Sequence, residues 1–306
     1  MAIEPAGGQG AFAVRMAQRL VASCYRLGRP IADSAGSLVV YELDTTSASA
    51  ARAAISATLR SCGVTDETAT VLVAAWLRTG DYLLDAQRLP PADFIMGNPP
   101  YVRLEEIDKN VAALYRARYA TMTGRADLYV AFYEAALGQL APGGVCAFIC
   151  ADRWMLNQYG ADLRRLVTDG YAVETVIEMH GAGAFEDEVL AYPAVTIIRR
   201  GRQGPAVIAR AGAQVAIAPP SVLSTAIHDA HTGIAVGVLP PGLRAARVES
   251  WFTGADPWPC ASPERLALLK YLERTFPPLE RQETGCAGWL PQPLAQRRHD
   301  YPTEAA

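Results

Sequence analysis

The chain lacks any apolar run approaching the ~20 residues that a membrane-crossing helix requires. Its first residues, MAIEPAGGQG, lack the basic region and apolar stretch of a secretion signal, so a cytoplasmic protein is expected. Positive charge is not in excess: 28 Lys and Arg stand against 31 Asp and Glu, a formal net charge of -3. That balance speaks against a protein that simply coats nucleic acid, while leaving room for an enzyme with a local basic cleft. The six cysteines are scattered and form neither a redox pair nor a zinc knuckle. Cys146 and Cys150 fall in an alternating strand-like segment, so reduced, partly buried thiols and no metal site are expected. There is no internal repeat. What remains is ordinary for a globular chain, 51% hydrophobic and 19% charged over 306 residues, enough for one large domain and part of a second.

The first two-thirds of the chain alternates strand-like and helix-like segments. Strands are predicted at Ala2 to Glu4, Ser37 to Tyr41, Asp93 to Gly97, Val145 to Cys150, Val173 to Glu178 and Ala194 to Arg199. Helices are predicted from Ala11 to about Leu27, Thr46 to Cys62, Asp66 to Arg78, Asp127 to Leu140 (amphipathic, broken by Pro142-Gly143-Gly144) and Ala161 to Thr168. This alternation predicts an α/β fold, a Rossmann-like doubly wound, mostly parallel sheet with helices on both faces. In such sheets ligands bind at the carboxyl ends of the strands. Beyond Gly201 the text becomes Pro/Gly-rich, with a basic stretch at Leu243 to Val248 and a helix from Ser262 to Thr275. A domain boundary is expected at 201–205.

Four polar clusters fall just after predicted strands or helices. In Glu4-Pro5-Ala6-Gly7-Gly8-Gln9-Gly10-Ala11-Phe12 a strand enters a glycine turn and then a helix. Such a turn lets a ligand approach the backbone and offers it free N–H groups, although a plain strand-to-helix turn has the same spacing. Glu42 ends the second strand, where an acid can accept from both hydroxyls of a ribose; the alternative is a helix cap, a role that Asp44 or Thr45 fills better, leaving Glu42 free. Asp81 follows Gly80 and can accept from an exocyclic amine, or simply serve as a turn aspartate. The fourth cluster, Asn98-Pro99-Pro100-Tyr101, directly follows the strand DFIMG. Two prolines remove two backbone donors and hold the chain extended. The asparagine side chain and a backbone carbonyl can then take both hydrogens of an amino group while the ring stacks on its planar parent.

With these residues in order, the chain resembles the class I S-adenosylmethionine-dependent methyltransferases, and among them the Eco57I-like adenine-N6 DNA methyltransferases of restriction-modification systems. Glu4 to Phe12 is similar to the family's DPACGSGAF cofactor loop, with Glu4 for Asp and Gly7 for Cys. The resemblance implies that Glu4, Ala6, Gly8, Gly10, Phe12, Glu42, Asp81 and Asn98 bind S-adenosylmethionine. It implies that Asn98, Pro99, Pro100 and Tyr101 are catalytic, and that Tyr101 and Phe185 pack on an adenine flipped out of double-stranded DNA. Asp127-Leu128-Tyr129, the segment Trp154 to Gly160 and Tyr192-Pro193-Ala194-Val195 also match. Domains are expected at 1–200 (catalytic), 201–286 (partial target-recognition or linker region) and 287–306 (a disordered or out-of-frame tail).

Only three residues precede Glu4, and the likeness stops after Cys286, so a chain cut short at both ends is expected. The same NPPY chemistry also serves enzymes that methylate RNA or a protein glutamine. A fragment needing a partner chain for target recognition is a further alternative.

Overall fold

The computed structural model describes residues 1–181, 192–233, 239–259 and 263–277. Phe185 and the tail 287–306 lie outside them. The chain divides into two compact units, 1–266 and 267–306. In the second, the described residues are the later turns of a helix, Pro263–Thr275, and the two residues that follow.

In the first unit nine strands make one sheet: β1 Ala2–Glu4, β2 Leu38–Glu42, β3 Leu77–Thr79, β4 Ala92–Gly97, β5 Leu140–Ala151, β6 Tyr171–Gly181, β7 Pro193–Arg200, β8 Ala206–Gly212 and β9 Leu243–Val248. Their spatial order is β3-β2-β1-β4-β5-β7-β6-β8-β9. The strands β3, β2, β1, β4 and β5 run parallel. β7 is antiparallel to both β5 and β6, so β6 points the same way as β5, and β8 runs parallel to β6. The helices are α1 Ala11–Arg26, α2 Thr45–Ser61, α3 Asp66–Trp76, α4 Tyr82–Asp85, α5 Lys109–Arg118, α6 Leu128–Gln139, α7 Arg153–Leu156, α8 Ala161–Gly170, α9 Pro220–Thr232 and α10 Pro263–Thr275.

The strand LVVYE of β2 explains the two-sided cover. Side chains alternate along a strand, so Leu38 and Val40 join Ala13, Ile55, Leu72 and Trp76 on one face. Val39 and Tyr41 join Ile95, Tyr129 and Phe148 on the other. A strand apolar on both faces is interior to a parallel sheet. α6 was expected to be amphipathic, but nine of its twelve residues are buried. Its sequence, LYVAFYEAALGQ, is apolar nearly all round, which suits a helix enclosed by its neighbours. The Pro142-Gly143-Gly144 break lies within β5. It shifts the register between Ala92↔Leu140 and Phe94↔Val145, with Gly143 at φ 77°. Residues 201–205, expected to be a domain boundary, join β7 to β8 in the one sheet. The expected helix 66–78 stops at Trp76 and gives way to β3, and the basic stretch 243–248 is β9. Cys146 and Cys150 are interior strand residues, and burial pushes both thiols up.

An aromatic cluster packs the turn after β5 onto the sheet. Trp154 meets Tyr133 and Trp258 with ring centroids 5.1 and 5.0 Å apart, and Trp251 meets Trp258 at 5.3 Å. The buried Arg164 guanidinium gathers backbone carbonyls of Trp154, Asn157 and Ala255. Gly160 closes the turn so tightly that a Cβ there would fall 1.9 Å from the Trp154 carbonyl oxygen. Backbone atoms cannot yield as a side chain can. Gly160→Ala is therefore expected to cost about 1–3 kcal/mol, read as a lower denaturant midpoint at unchanged slope. Gly138→Ala, on the exposed side of α6 with nothing within 4 Å of the new Cβ, should instead stabilise by up to about 1 kcal/mol. Equal midpoints for Gly160→Ala and the parent would remove this turn as a constraint on the fold.

Candidate active site at the carboxyl edge of the sheet

β1 ends at Glu4, and the next six residues turn the chain into α1. The Gly7 N–H donates to the Tyr41 carbonyl at 2.7 Å, and the Gly10 N–H donates to the Gly7 carbonyl at 2.8 Å. A Cβ on Gly7 would sit 2.7 Å from Val40 Cγ1. Gly10 caps α1 in the left-handed region, at φ 96°, and a Cβ there would stand 3.1 Å from Ala51 Cα on α2. Two demands thus meet at one glycine, a positive φ and a close helix contact. Gly8 is exposed at φ 51°. Ala6 is half-buried, and Phe12 stands 36% exposed on the first turn of α1.

Glu42 ends β2 beside this turn. It is not free, as the sequence suggested: one carboxylate oxygen accepts the Gly8 N–H at 2.6 Å and the other the Asp44 N–H at 2.8 Å. Asp44 takes the capping role for α2, accepting from the Ser47 N–H at 2.7 Å. An ionised carboxylate has about four lone-pair directions, so Glu42 retains capacity toward hydroxyl donors. The Gly80 N–H donates to the Glu42 carbonyl at 2.9 Å, which draws the end of β3 against the end of β2. Asp81 follows. It caps α4 through the Leu84 N–H at 3.3 Å and accepts the Tyr115 hydroxyl at 2.6 Å. The turn reading of Asp81 is thus present, and one of its carboxylate oxygens already accepts from a tyrosine of the chain itself.

Asn98 follows β4, the strand next to β1. The ends of the two strands touch: a Cβ on Gly97 would lie 3.5 Å from Pro5 Cδ and 3.6 Å from Glu4 Cγ. The Asn98 Oδ1 is buried with no hydrogen-bond partner, and the same holds for Glu4 Oε2. Pro99 is buried and Pro100 half-buried. The Tyr101 hydroxyl donates to the Ile149 carbonyl at 3.3 Å, and its ring meets Tyr129 edge-on at 6.3 Å. The structure therefore brings Glu4, the glycine turn, Glu42, Asp81 and Asn98 to adjacent strand ends. Phe185 lies outside the described residues.

Sequence reasoning missed several partners. Tyr115 sits on α5, a helix that was not predicted, although Tyr115 and Tyr119 are four apart and both buried, a helical spacing. Leu43, 67% exposed, places an apolar side chain directly after Glu42. At the far side of the edge His180 lies between two acids, Nε2 2.8 Å from Asp152 Oδ2 and Nδ1 3.0 Å from Glu178 Oε1. Arg210 stands 3.6 Å from the same Glu178 oxygen, and the Tyr192 ring packs on His180 at 4.8 Å. Burial pushes the Asp152 carboxyl up, and His180 pulls it down. Nothing local in the sequence brings residues 152, 180, 192 and 210 together.

Residues 91–185 match the family model of the Eco57I restriction-modification methylase. The chain is 38% identical over 292 residues to the Type II methyltransferase M.PaeR7I of Pseudomonas aeruginosa, covering 93% of this chain and 48% of that relative. It is 36% identical to the Type II methyltransferase M.XhoI of Xanthomonas vasicola, covering 93% and 52%. The chain thus spans about half the length of the curated relatives it matches. Among solved structures it resembles the M protein of the Type I restriction enzyme EcoKI, with a TM-score of 0.54 at 14% identity, over 90% of this chain and 68% of that one. At that identity the likeness is one of fold, the class I S-adenosylmethionine-dependent methyltransferase fold.

Glu4 gives this edge a pH dependence. Burial pushes its carboxyl from 4.5 up to about 8; the Ala13 amide at the start of α1 pulls the other way, and the Glu42 carboxylate adds to the rise. Between those two values the folded chain keeps a proton that the unfolded chain has released, so stability falls as pH rises from about 4.5 to about 8. Glu4→Gln removes that slope. Its melting temperature should exceed the parent's above pH 8, with the gap closing toward pH 4.5. Parallel melting profiles for the two proteins would place the buried charge elsewhere.

Proposed function

From the match of residues 91–185 to the Eco57I restriction-modification methylase and the likeness to M.PaeR7I and M.XhoI, we propose that the chain is an Eco57I-like methylase that transfers a methyl group from S-adenosylmethionine to N6 of an adenine flipped out of double-stranded DNA, as the modification activity of a restriction-modification system. The observation that supports this most is the Asn98 Oδ1, buried and without a partner. A buried amide oxygen left unpaired costs about 1–3 kcal/mol, which an arriving amine can recover.

The residues present fit the cofactor. Gly7 and Gly10 leave no room for side chains, and Gly8 exposes its backbone beside Glu42. Glu42 would accept from ribose hydroxyls, Asp81 from the amine of the cofactor's adenine, and Glu4, Ala6, Gly8, Gly10 and Phe12 would line the rest. S-adenosylmethionine supplies, when bound, a methyl group on a positively charged sulfur.

The adenine N6 lone pair is delocalised into the ring, so the amine is a weak nucleophile. Asn98 Oδ1 and the Pro99 carbonyl would accept its two hydrogens, draw it toward tetrahedral geometry and stabilise the positive charge that develops on nitrogen. Tyr101 would stack on the flipped base and Phe185 would pack against it. Alignment and charge stabilisation then carry the rate, with no strong base required. Target recognition would come from a partner chain or from sequence beyond this span, and the protein would act in the cytoplasm. Among the described residues no helix is long and apolar enough to cross a membrane.

Asn98→Ala should lower methyl transfer to DNA by about 10²–10³-fold, while calorimetry finds S-adenosylmethionine bound much as before. Asp81→Ala should lose cofactor affinity instead. Near-normal turnover of Asn98→Ala would sink the assignment. Transfer to RNA or to a protein glutamine, with none to DNA, would redirect it to those substrates.

A further inference from the structure

We infer that the arginine-lined pocket beside the Asn98–Tyr101 turn seats a DNA backbone phosphodiester, the one attached to the nucleotide whose base enters beside Tyr101. This rests on the DNA-methylating function proposed above and adds the group that would hold the extruded strand.

The pocket encloses about 310 Å³, the liquid volume of roughly ten waters, room for a phosphate with its sugar. Arg103, Arg116, Arg125 and Arg153 line it against only two acids, Glu105 and Asp127. In a chain of net charge -3 that local excess is notable. The two outer arginines are already engaged. Arg125 pairs with Glu105 at 3.6 Å in the open, and Arg116 donates to the Gly124 carbonyl at 3.1 Å. Arg103 and Arg153 share the pocket wall with Asp127, a half-buried carboxyl that burial pushes up while these two cations pull it down, and Arg153 also lies over the Tyr192 ring at 5.8 Å. Two guanidinium groups from different elements lining one pocket can grip a phosphate through several charge-assisted hydrogen bonds.

The position fits a nucleotide. Arg103 is two residues beyond Tyr101, and its segment is fixed to the start of α6 by the Leu128 N–H donating to the Val102 carbonyl at 2.9 Å. Tyr159, in the pocket wall, shares a 2.5 Å hydroxyl contact with Tyr129 and donates to Asp127 at 3.4 Å. The Tyr129 ring in turn meets Tyr101. The pocket wall is thus joined to the Tyr101 ring through Tyr129 and Tyr159. A glutamine side chain of a protein carries no anion for these arginines, whereas a nucleotide carries its phosphate.

The test is DNA binding by the intact chain, followed by fluorescence anisotropy over a salt series. The labelled duplex carries an adenine opposite an abasic position, and a second duplex has methylphosphonates flanking that adenine. Arg103→Gln and Arg153→Gln should each reduce the slope of log affinity against log salt by about one, and the double variant should no longer distinguish the two duplexes. Arg88→Gln, before β4 at the opposite edge, should behave as the parent. Unchanged S-adenosylmethionine binding by the double variant reports an intact core. An unchanged slope in the double variant, an arginine effect on RNA alone, or no DNA binding by the parent at low salt would each overturn the proposal. An unchanged slope in the double variant bears neither on cofactor binding nor on the Asn98→Ala result and so defeats the phosphate site alone, whereas no DNA binding by the parent, or an effect on RNA alone, would count against the DNA-methylating function as well.

Discussion

The turn after β1 passes over the end of β2 with no space for a side chain between them. Gly7 donates to the Tyr41 carbonyl and lies against Val40, and the polar arrangement at this edge follows from that approach. It brings the Gly8 N–H to Glu42, sets Gly10 against α2, and leaves Glu4 enclosed beside the end of β4. The parallel ladder then does the rest, because strands running the same way end at the same edge. Four chain segments far apart in sequence deliver Glu4, Glu42, Asp81 and Asn98 to neighbouring positions without any of them contacting all the others.

The edge is electrostatically uneven. Around the glycine turn it is acidic, with Glu42, Asp44 and Asp81 beside the protonated Glu4, which suits a ligand carrying positive charge and hydroxyl donors. Beyond Tyr101 it becomes basic, with Arg103 and Arg153 prominent. Between the two stand Asn98 and the prolines, neutral acceptors that add no charge of their own. A neutral amide acceptor has no proton to lose before it can accept, so its capacity does not depend on pH in the range where Glu4 titrates.

The parts of this layout that were legible in the sequence share a physical reason. β1, β2, β4 and the strand-end residues announce themselves because an apolar run followed by a polar or glycine residue is a local pattern. The parts that were not legible depend on distance or brevity. β3 has only three residues and continues directly from α3, so its apolar start extends the helical pattern. The sequence of β8, AVIARAG, is alternating enough to be a strand, yet the Pro/Gly content around it suggested a boundary instead. In the site, Asn98 was readable from its neighbours. The Tyr115 contact to Asp81, the Tyr129–Tyr159 pair and the His180 contact to Asp152 join residues dozens of positions apart, and no local spacing encodes them.

The antiparallel β7 has a consequence for how the sheet is assembled during synthesis. β6 leaves the ribosome before β7, yet in the finished sheet β7 lies between β5 and β6. β6 therefore cannot settle beside β5; a gap one strand wide, about 5 Å on each side, must stay open until residue 200 has emerged. Through that interval the outer edge of β5 is unpaired, with apolar Cys146, Phe148 and Cys150 along one of its faces, and an unpaired apolar edge invites the wrong partner. The interval is short, about twenty residues from the end of β6, and the hairpin-like return of β7 closes it from both sides at once.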